Sequence, residues 1–245
     1  MRDSMIFGRR KRGNAVEDDL REEQAPEETA MPEDDDVDAD VAPGEELSPE
    51  ELQAREWDAA FTRTEGPFDI SEVDLDADDV KRVDFGALVA TPFEGMTMQL
   101  NVHRESKGVQ SILVGDGQSG LEVSLFAGPN KSSMADEVRA EIAKSTVAQG
   151  GQVKLVEGPF GAEMRRAVPV TDPEGRKALH VSRTWLVSGP GWLLRGVLLG
   201  KATFEPENED AQVALFEFFS NLVVRRGTQP AAPGSALALR MPEQE

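Results

Sequence analysis

The chain has 245 residues, 39% of them apolar, and a formal net charge of −20. It contains no cysteine, which excludes disulfides, thiolate zinc sites and cysteine nucleophiles. The charge is uneven: residues 14–56 hold 18 acids against two bases, whereas residues 82–227 hold 17 acids against 16 bases.

The start carries Arg9, Arg10, Lys11 and Arg12 in a row, and residues 14–46 are almost entirely Glu, Asp, Ala and Pro. Such a stretch buries too little apolar surface to offset a chain entropy of roughly 1–2 kcal/mol per residue. Residues 1–46 are therefore expected to be a disordered, basic-then-acidic arm. Within it, Asp34, Asp35, Asp36 and Asp38 resemble a loose calcium-ligand run. They lack the loop glycine and the distal glutamate, so a solvated acidic tract is the expectation.

A capped helix follows. Ser48 stands at the N-cap, Pro49 in the first turn and Glu51 at the capping-box position, with Leu47 and Leu52 spaced as a hydrophobic staple. Ala54, Trp57 and Phe61 share one face of a helix expected over 49–61. That face either packs on the domain behind it or receives a partner. Residues 62–80 read as an extended acidic connector, so 47–80 form a helix and connector ahead of the domain.

The domain is expected over 81–227. Val83 and Phe85 alternate, and residues 86–90 extend that strand; Met96, Met98, Leu100 and Val102 mark a half-buried strand. Strands over 109–114 and 121–126 flank Gly115-Asp116-Gly117-Gln118-Ser119-Gly120. This matches G-x-G-x-x-G, but a strand pattern follows it, so the glycines are assigned to a hairpin turn rather than to a dinucleotide site. Ser132 or Ser133 caps a helix with Met134, Val138, Ile142 and Val147 on its apolar face, stopped by Gly150-Gly151. Strands are then expected over 153–156, 162–170, 179–187 and 192–202, the last two joined through Ser188-Gly189-Pro190-Gly191. A final helix over 207–224 carries Val213, Phe216, Phe219, Leu222 and Val223 as its buried stripe and ends at Gly227. The tail, 228–245, holds Leu237, Leu239 and Met241 in alternation, which suits a short extended strand docked on the domain. Tight turns between strands make the sheet mostly antiparallel, with helices packed on it: an α+β fold.

Chemistry-bearing motifs are sparse. No Gly-x-Ser-x-Gly elbow, P-loop lysine motif or His-Glu-x-x-His occurs. His103 and His180 lie 77 positions apart with no acid at ligand spacing, so no metal or cofactor is implied. Four strand arginines, Arg165, Arg166, Arg183 and Arg195, are the candidate ligand-binding residues. The hairpin at Gly189-Pro190 is expected to set Arg183 nearly opposite Arg195, which is unfavourable unless an anion lies between them. That anion is either a bound ligand or an internal acid such as Glu163. An enzyme would in addition need His103, His180 or a desolvated carboxylate in the same pocket. The domain has no aromatic-rich basic stripe, so no nucleic-acid partner is expected. Arg9, Arg10, Lys11 and Arg12 beside Ile6 and Phe7 offer a weak contact for anionic lipid, about 1 kcal/mol per charge, against which the acidic tract competes. No apolar run reaches the roughly 20 residues of a membrane span and Met1–Phe7 lacks a signal core, so the expected location is cytoplasmic.

Several phrases resemble an actinobacterial family of unknown function over about residues 47–241. They are Gly66-Pro67-Phe68-Asp69, Val83-Asp84-Phe85-Gly86-Ala87-Leu88, Glu137-Val138-Arg139-Ala140-Glu141-Ile142, Gly158-Pro159-Phe160-Gly161 and Gly189-Pro190-Gly191-Trp192-Leu193-Leu194-Arg195-Gly196. The tail phrase Leu237-Ala238-Leu239-Arg240-Met241-Pro242 belongs with them. Where the resembling proteins often carry Arg between Pro and Trp, this chain has Gly191. More loosely, the pattern is similar to the Mog1/PsbP-like α-β-α sandwich. The resemblance implies a bacterial cytoplasmic setting and no particular chemistry. The functional expectation is a non-catalytic binding or regulatory module, meeting a protein partner through the acidic arm or helix 49–61. The alternative is a small-molecule anion-binding domain or an enzyme that uses the strand arginines.

Overall fold

The computed structural model describes residues 47–102, 108–171, 175–204 and 209–242. The basic cluster, the acidic arm and His103 lie outside the described residues. The elements in chain order are α1 (Pro49–Ala60), β1 (Phe68–Asp69), β2 (Val83–Asp84), β3 (Leu88–Ala90), β4 (Thr97–Val102), β5 (Val109–Gly115) and β6 (Ser119–Ala127). Then come α2 (Ala135–Ala148), β7 (Gln152–Gly158), β8 (Gly161–Thr171), β9 (Lys177–Gly189), β10 (Trp192–Gly200), α3 (Glu209–Ser220) and β11 (Val223–Val224). The fold is α+β.

A seven-stranded sheet in the order β4-β5-β6-β10-β9-β8-β7 forms the centre, and all its neighbouring pairs are antiparallel. Strand alternation gives it two apolar faces. On one face Phe126, Leu186 and Leu193 pack against Met134, Ala135 and Val138 at the start of α2. On the other, Leu121, Val123, Leu125, Trp185, Leu194 and Leu198 join Leu215, Phe218 and Phe219 of α3. A small sheet, β1-β11-β3-β2, adds Leu88, Ala90 and Val224 to this second core. Gly196 lies beneath α3, where an added Cβ would come 2.7 Å from the Phe219 ring; the missing side chain lets helix and sheet meet.

α1 begins as expected: Ser48 Oγ accepts from the Glu51 amide at 3.3 Å and Glu51 Oε2 accepts from the Ser48 amide at 2.8 Å. Its Ala54 is buried, and Asp58 Oδ1 accepts from the Ala162 amide of β8 at 2.8 Å. Phe61 meets Phe160 edge-on at 5.9 Å. Leu52 stays half exposed at the helix surface.

Other expectations need correction. The supposed connector contains β1, which pairs parallel with β11, and Asp69 accepts a 2.9 Å bond from Trp192 Nε1. The strand expected across 83–90 is two strands, because Gly86 takes a φ of +81° and folds the chain back between β2 and β3. The last helix stops at Ser220, and Val223–Val224 is a strand. Its buried stripe is Leu215, Phe218 and Phe219, whereas Val213 is exposed. In α2, Val147 is 64% exposed and Thr146 takes the buried place. Four residues on from Ile142 the helix has completed a turn; one further residue rotates Val147 about 100° away from the sheet.

The tail fills a gap in the large sheet. The register of β5 with β6 runs from Gly115↔Gly120 to Ile112↔Val123. Beyond it, Leu237 donates to Leu125, Ala127 donates to Ser235 at 2.8 Å, and Leu239 donates to Val109. Leu239 is buried and Leu237 packs on the same core, whereas Met241 is 63% exposed. Leu239→Ala is expected to cost about 2–4 kcal/mol. Removal of residues after Gly227 should lower Tm by several degrees and speed amide exchange at Ala127. An unchanged melting curve and exchange pattern in the truncated chain would show that the tail contributes nothing to the fold.

Candidate functional site

The four strand arginines divide between the two faces of the sheet. β10 pairs with β9 in the register Arg195↔Leu186 and Leu198↔Arg183. Arg183 and Arg195 are therefore three positions out of register and face opposite ways, contrary to the expectation from the hairpin. The residue opposite Arg183 is Arg165 on β8.

The Arg165–Arg183 pair is balanced from within the protein. Glu163, 1% exposed, receives Arg183 Nε and Nη2 at 2.8 Å each, a bidentate bond that Arg geometry favours. Arg165 Nε and Trp185 Nε1 also donate to it at 2.8 Å. Burial, the largest influence, pushes the Glu163 carboxyl upward, but these hydrogen bonds outweigh it and hold the group below its ordinary 4.5. With Arg183 Nη1 also donating to the Ala202 carbonyl, this is a closed structural network.

Arg166 and Arg195 stand on the other face, on β8 and β10 with β9 between them. Both line a cavity of about 360 Å³ between α2 and the sheet, with Phe126, Met134, Val138, Glu141, Ile142, Ser145, Leu193 and Gly234. Thr146 of α2 accepts Arg166 Nε at 2.8 Å while donating to the Ile142 carbonyl, which aims the guanidinium. The Arg195 guanidinium lies 5.1 Å over the Phe126 ring, and its buried Nε has no hydrogen-bond partner. Among the described residues, no acid lies within ion-pair distance of either guanidinium. Burial and the neighbouring Arg166 charge disfavour the charged form of Arg195, opposed by Glu122, while burial alone does so for Arg166. Glu122 itself accepts from Ser111 Oγ at 2.6 Å and Asn101 Nδ2 at 3.2 Å.

The contrast with Arg139 of α2 is instructive. Arg139 is buried as a whole, where Arg195 is half-buried, and it has one unpartnered nitrogen, Nη1, but its Nη2 bonds both Asp58 and Asp136. Arg195 has no such compensation. His180 is exposed on β9, opposite Val168, and is not among the cavity's lining residues. The Gly115–Gly120 segment is a hairpin turn, with Asp116 accepting from the Gln118 and Ser119 amides at 2.8 Å. Sequence reasoning found both guanidiniums of the cavity, and Met134, Val138 and Ile142 of its wall as a packing face only, but missed Thr146. The periodicity of α2 held a signal for Thr146, since it follows Ile142 by four.

A family model described as "Protein of unknown function (DUF3710)" matches residues 66–245. No curated protein matches the chain. Among solved structures, it is similar to cyanobacterial PsbP (CyanoP) from Synechocystis sp. PCC 6803, at 13% identity and a TM-score of 0.36, over 59% of this chain and 92% of that one. It is also similar to a protein from Bacteroides thetaiotaomicron VPI-5482, at 13% identity and a TM-score of 0.35, over 58% of this chain and 46% of that one. At this level of likeness no activity passes from those proteins to this chain.

Glu163→Gln removes a buried charge and strands Arg183, which should cost about 3 kcal/mol. Because the folded-state carboxyl lies below its ordinary value, the ionised group stabilises the protein above about pH 4.5 and loses that effect as pH falls through the folded value. The stability gap between wild type and Glu163→Gln should therefore narrow on acidification in urea titrations. A gap constant from pH 7 to pH 3 would show that the charge of Glu163 contributes nothing.

Proposed function

The chain belongs to the family of proteins of unknown function whose model spans residues 66–245, and we propose that it is a non-catalytic binding module for a small organic anion held between α2 and the sheet. The observation that carries this reading is the pair Arg166 and Arg195, which line one cavity with no ion-paired acid among the described residues, while Arg195 Nε is buried and unpartnered.

Leaving a buried guanidinium nitrogen without a hydrogen-bond partner, on a half-buried charge with no paired acid, is costly. A protein under selection for stability alone gains from replacing it, and at Arg183 this chain supplies a buried carboxylate instead. A guanidinium stays charged at any physiological pH and presents paired donors to a carboxylate or phosphate. Two of them bordering one apolar-walled space raise the local potential and select an anion. The volume suits a small molecule.

Two measurements test the reading. Without ligand, Arg195→Met keeps the aliphatic stem and removes the half-buried charge with its unpartnered Nε, so its Tm is expected to equal or exceed the wild type, whereas Arg183→Met should lose several degrees. In a thermal-shift screen of carboxylates and phosphates at millimolar concentration, at least one compound should raise the wild-type Tm by about 2 °C or more through mass action. The rise should vanish in Arg195→Met and in Arg166→Met. A screen in which no anion stabilises the wild type, or in which the variants respond equally, overturns the proposal.

A further inference from the structure

Resting on the anion reading above, we infer that the ligand is a monocarboxylate carried on an apolar body, such as a medium-chain fatty acid or an aryl-alkanoate, rather than a free inorganic anion or a phosphate ester. The cavity's walls give the first reason. Phe126 and Leu193 from the sheet face Met134, Val138 and Ile142 from α2, so one side of the space is apolar along two turns of helix. Phe126, Met134, Val138 and Leu193 belong to a single hydrophobic cluster on this face. A free phosphate or acetate would leave these side chains against water. Methionine in such a wall adapts to ligands of differing shape.

Charge gives the second reason. The ionisable groups lining the cavity are Arg166, Arg195 and Glu141, which together carry one net positive charge. Glu122, outside the lining on β6, accepts from the neutral Ser111 and Asn101 and still acts on Arg195 as a charge, so the surplus is at most one. A surplus of no more than one positive charge suits a monocarboxylate better than a phosphate monoester, whose nearly two charges would also meet the repulsion of Glu141. Position gives the third. Arg195 lies over the Phe126 ring, so the head-group donors and the apolar wall adjoin, and a molecule with one acidic end touches both at once.

The test is calorimetric titration of the full chain with acetate, octanoate, octanol and inorganic phosphate. Each buried methylene strengthens binding about fourfold when fully desolvated, so octanoate is expected to bind at least about a hundredfold more tightly than acetate. Octanol and phosphate should give no measurable heat of binding. Arg195→Met should weaken octanoate at least about tenfold, and Val138→Ser should weaken octanoate but not acetate. Acetate or phosphate binding as tightly as octanoate, in an Arg195-dependent way, overturns the apolar body while the anion reading stands. Octanoate binding that survives in Arg195→Met, or absence of binding by every probe, overturns both.

Discussion

The central sheet is apolar on both faces, and the period-two alternation of its strands therefore decides what becomes of every charge it carries. Arg165 and Arg166 are chain neighbours, yet they point to opposite layers. One shares Glu163 with Arg183 beneath the α3 side, and the other reaches across to Thr146 of α2. Had the β9–β10 turn been one residue longer, the parity of β10 would invert. Arg195 would then turn toward the α3 core and Leu194 toward α2. The tight turn at Pro190 and Gly191, which fixes Trp192 against Gly189, thus selects which guanidinium is compensated internally and which borders a cavity.

The same two-sidedness explains the aromatic distribution. Phe160, at the β7–β8 turn, touches Phe61 beyond α1, Trp185 of β9, and Phe216 and Phe219 of α3, with ring centres 4.8–5.9 Å apart. It joins three elements that are far apart in sequence. Glu163 lies three residues further along, on β8, and accepts from Trp185 Nε1 on the polar side. The buried ion network and the aromatic cluster therefore share Trp185, and disturbing either one changes the packing of the other.

How much of this was legible depends on range. Local signals survived: the capping box at Ser48 and Glu51, the glycine turn at Gly115–Gly120 and the alternating strands 109–114 and 121–126. Failures arose where a short element is held by a distant partner. Phe68–Asp69 looks like connector because its pairing residues are Val223–Val224, which in turn looked like the end of a helix. Val213 fits the helical period as well as Leu215 does, and only the position of the sheet chooses between the two stripes. The arginines were legible as a set, but their division between faces was not. It follows from the register of a turn, and periodicity leaves that register free by one residue.

The cavity is bounded by three parts that are distant in sequence or structure. Phe126 and Leu193 come with the sheet, Met134, Val138 and Ile142 come with α2, and Gly234 comes with the tail. The tail is secured by bonds between Gly234 or Ser235 and Ala127, the residue next to Phe126. A molecule that occupies the cavity therefore contacts the sheet, the helix and the tail together. By linkage, whatever part of its binding free energy depends on the tail adds to the stability of the docked tail, and loosening the tail weakens the binding by that same part. The uncompensated Arg195 sits where these parts converge. Its unpartnered Nε lies where a bound anion would both balance the charge and hold the surrounding parts together.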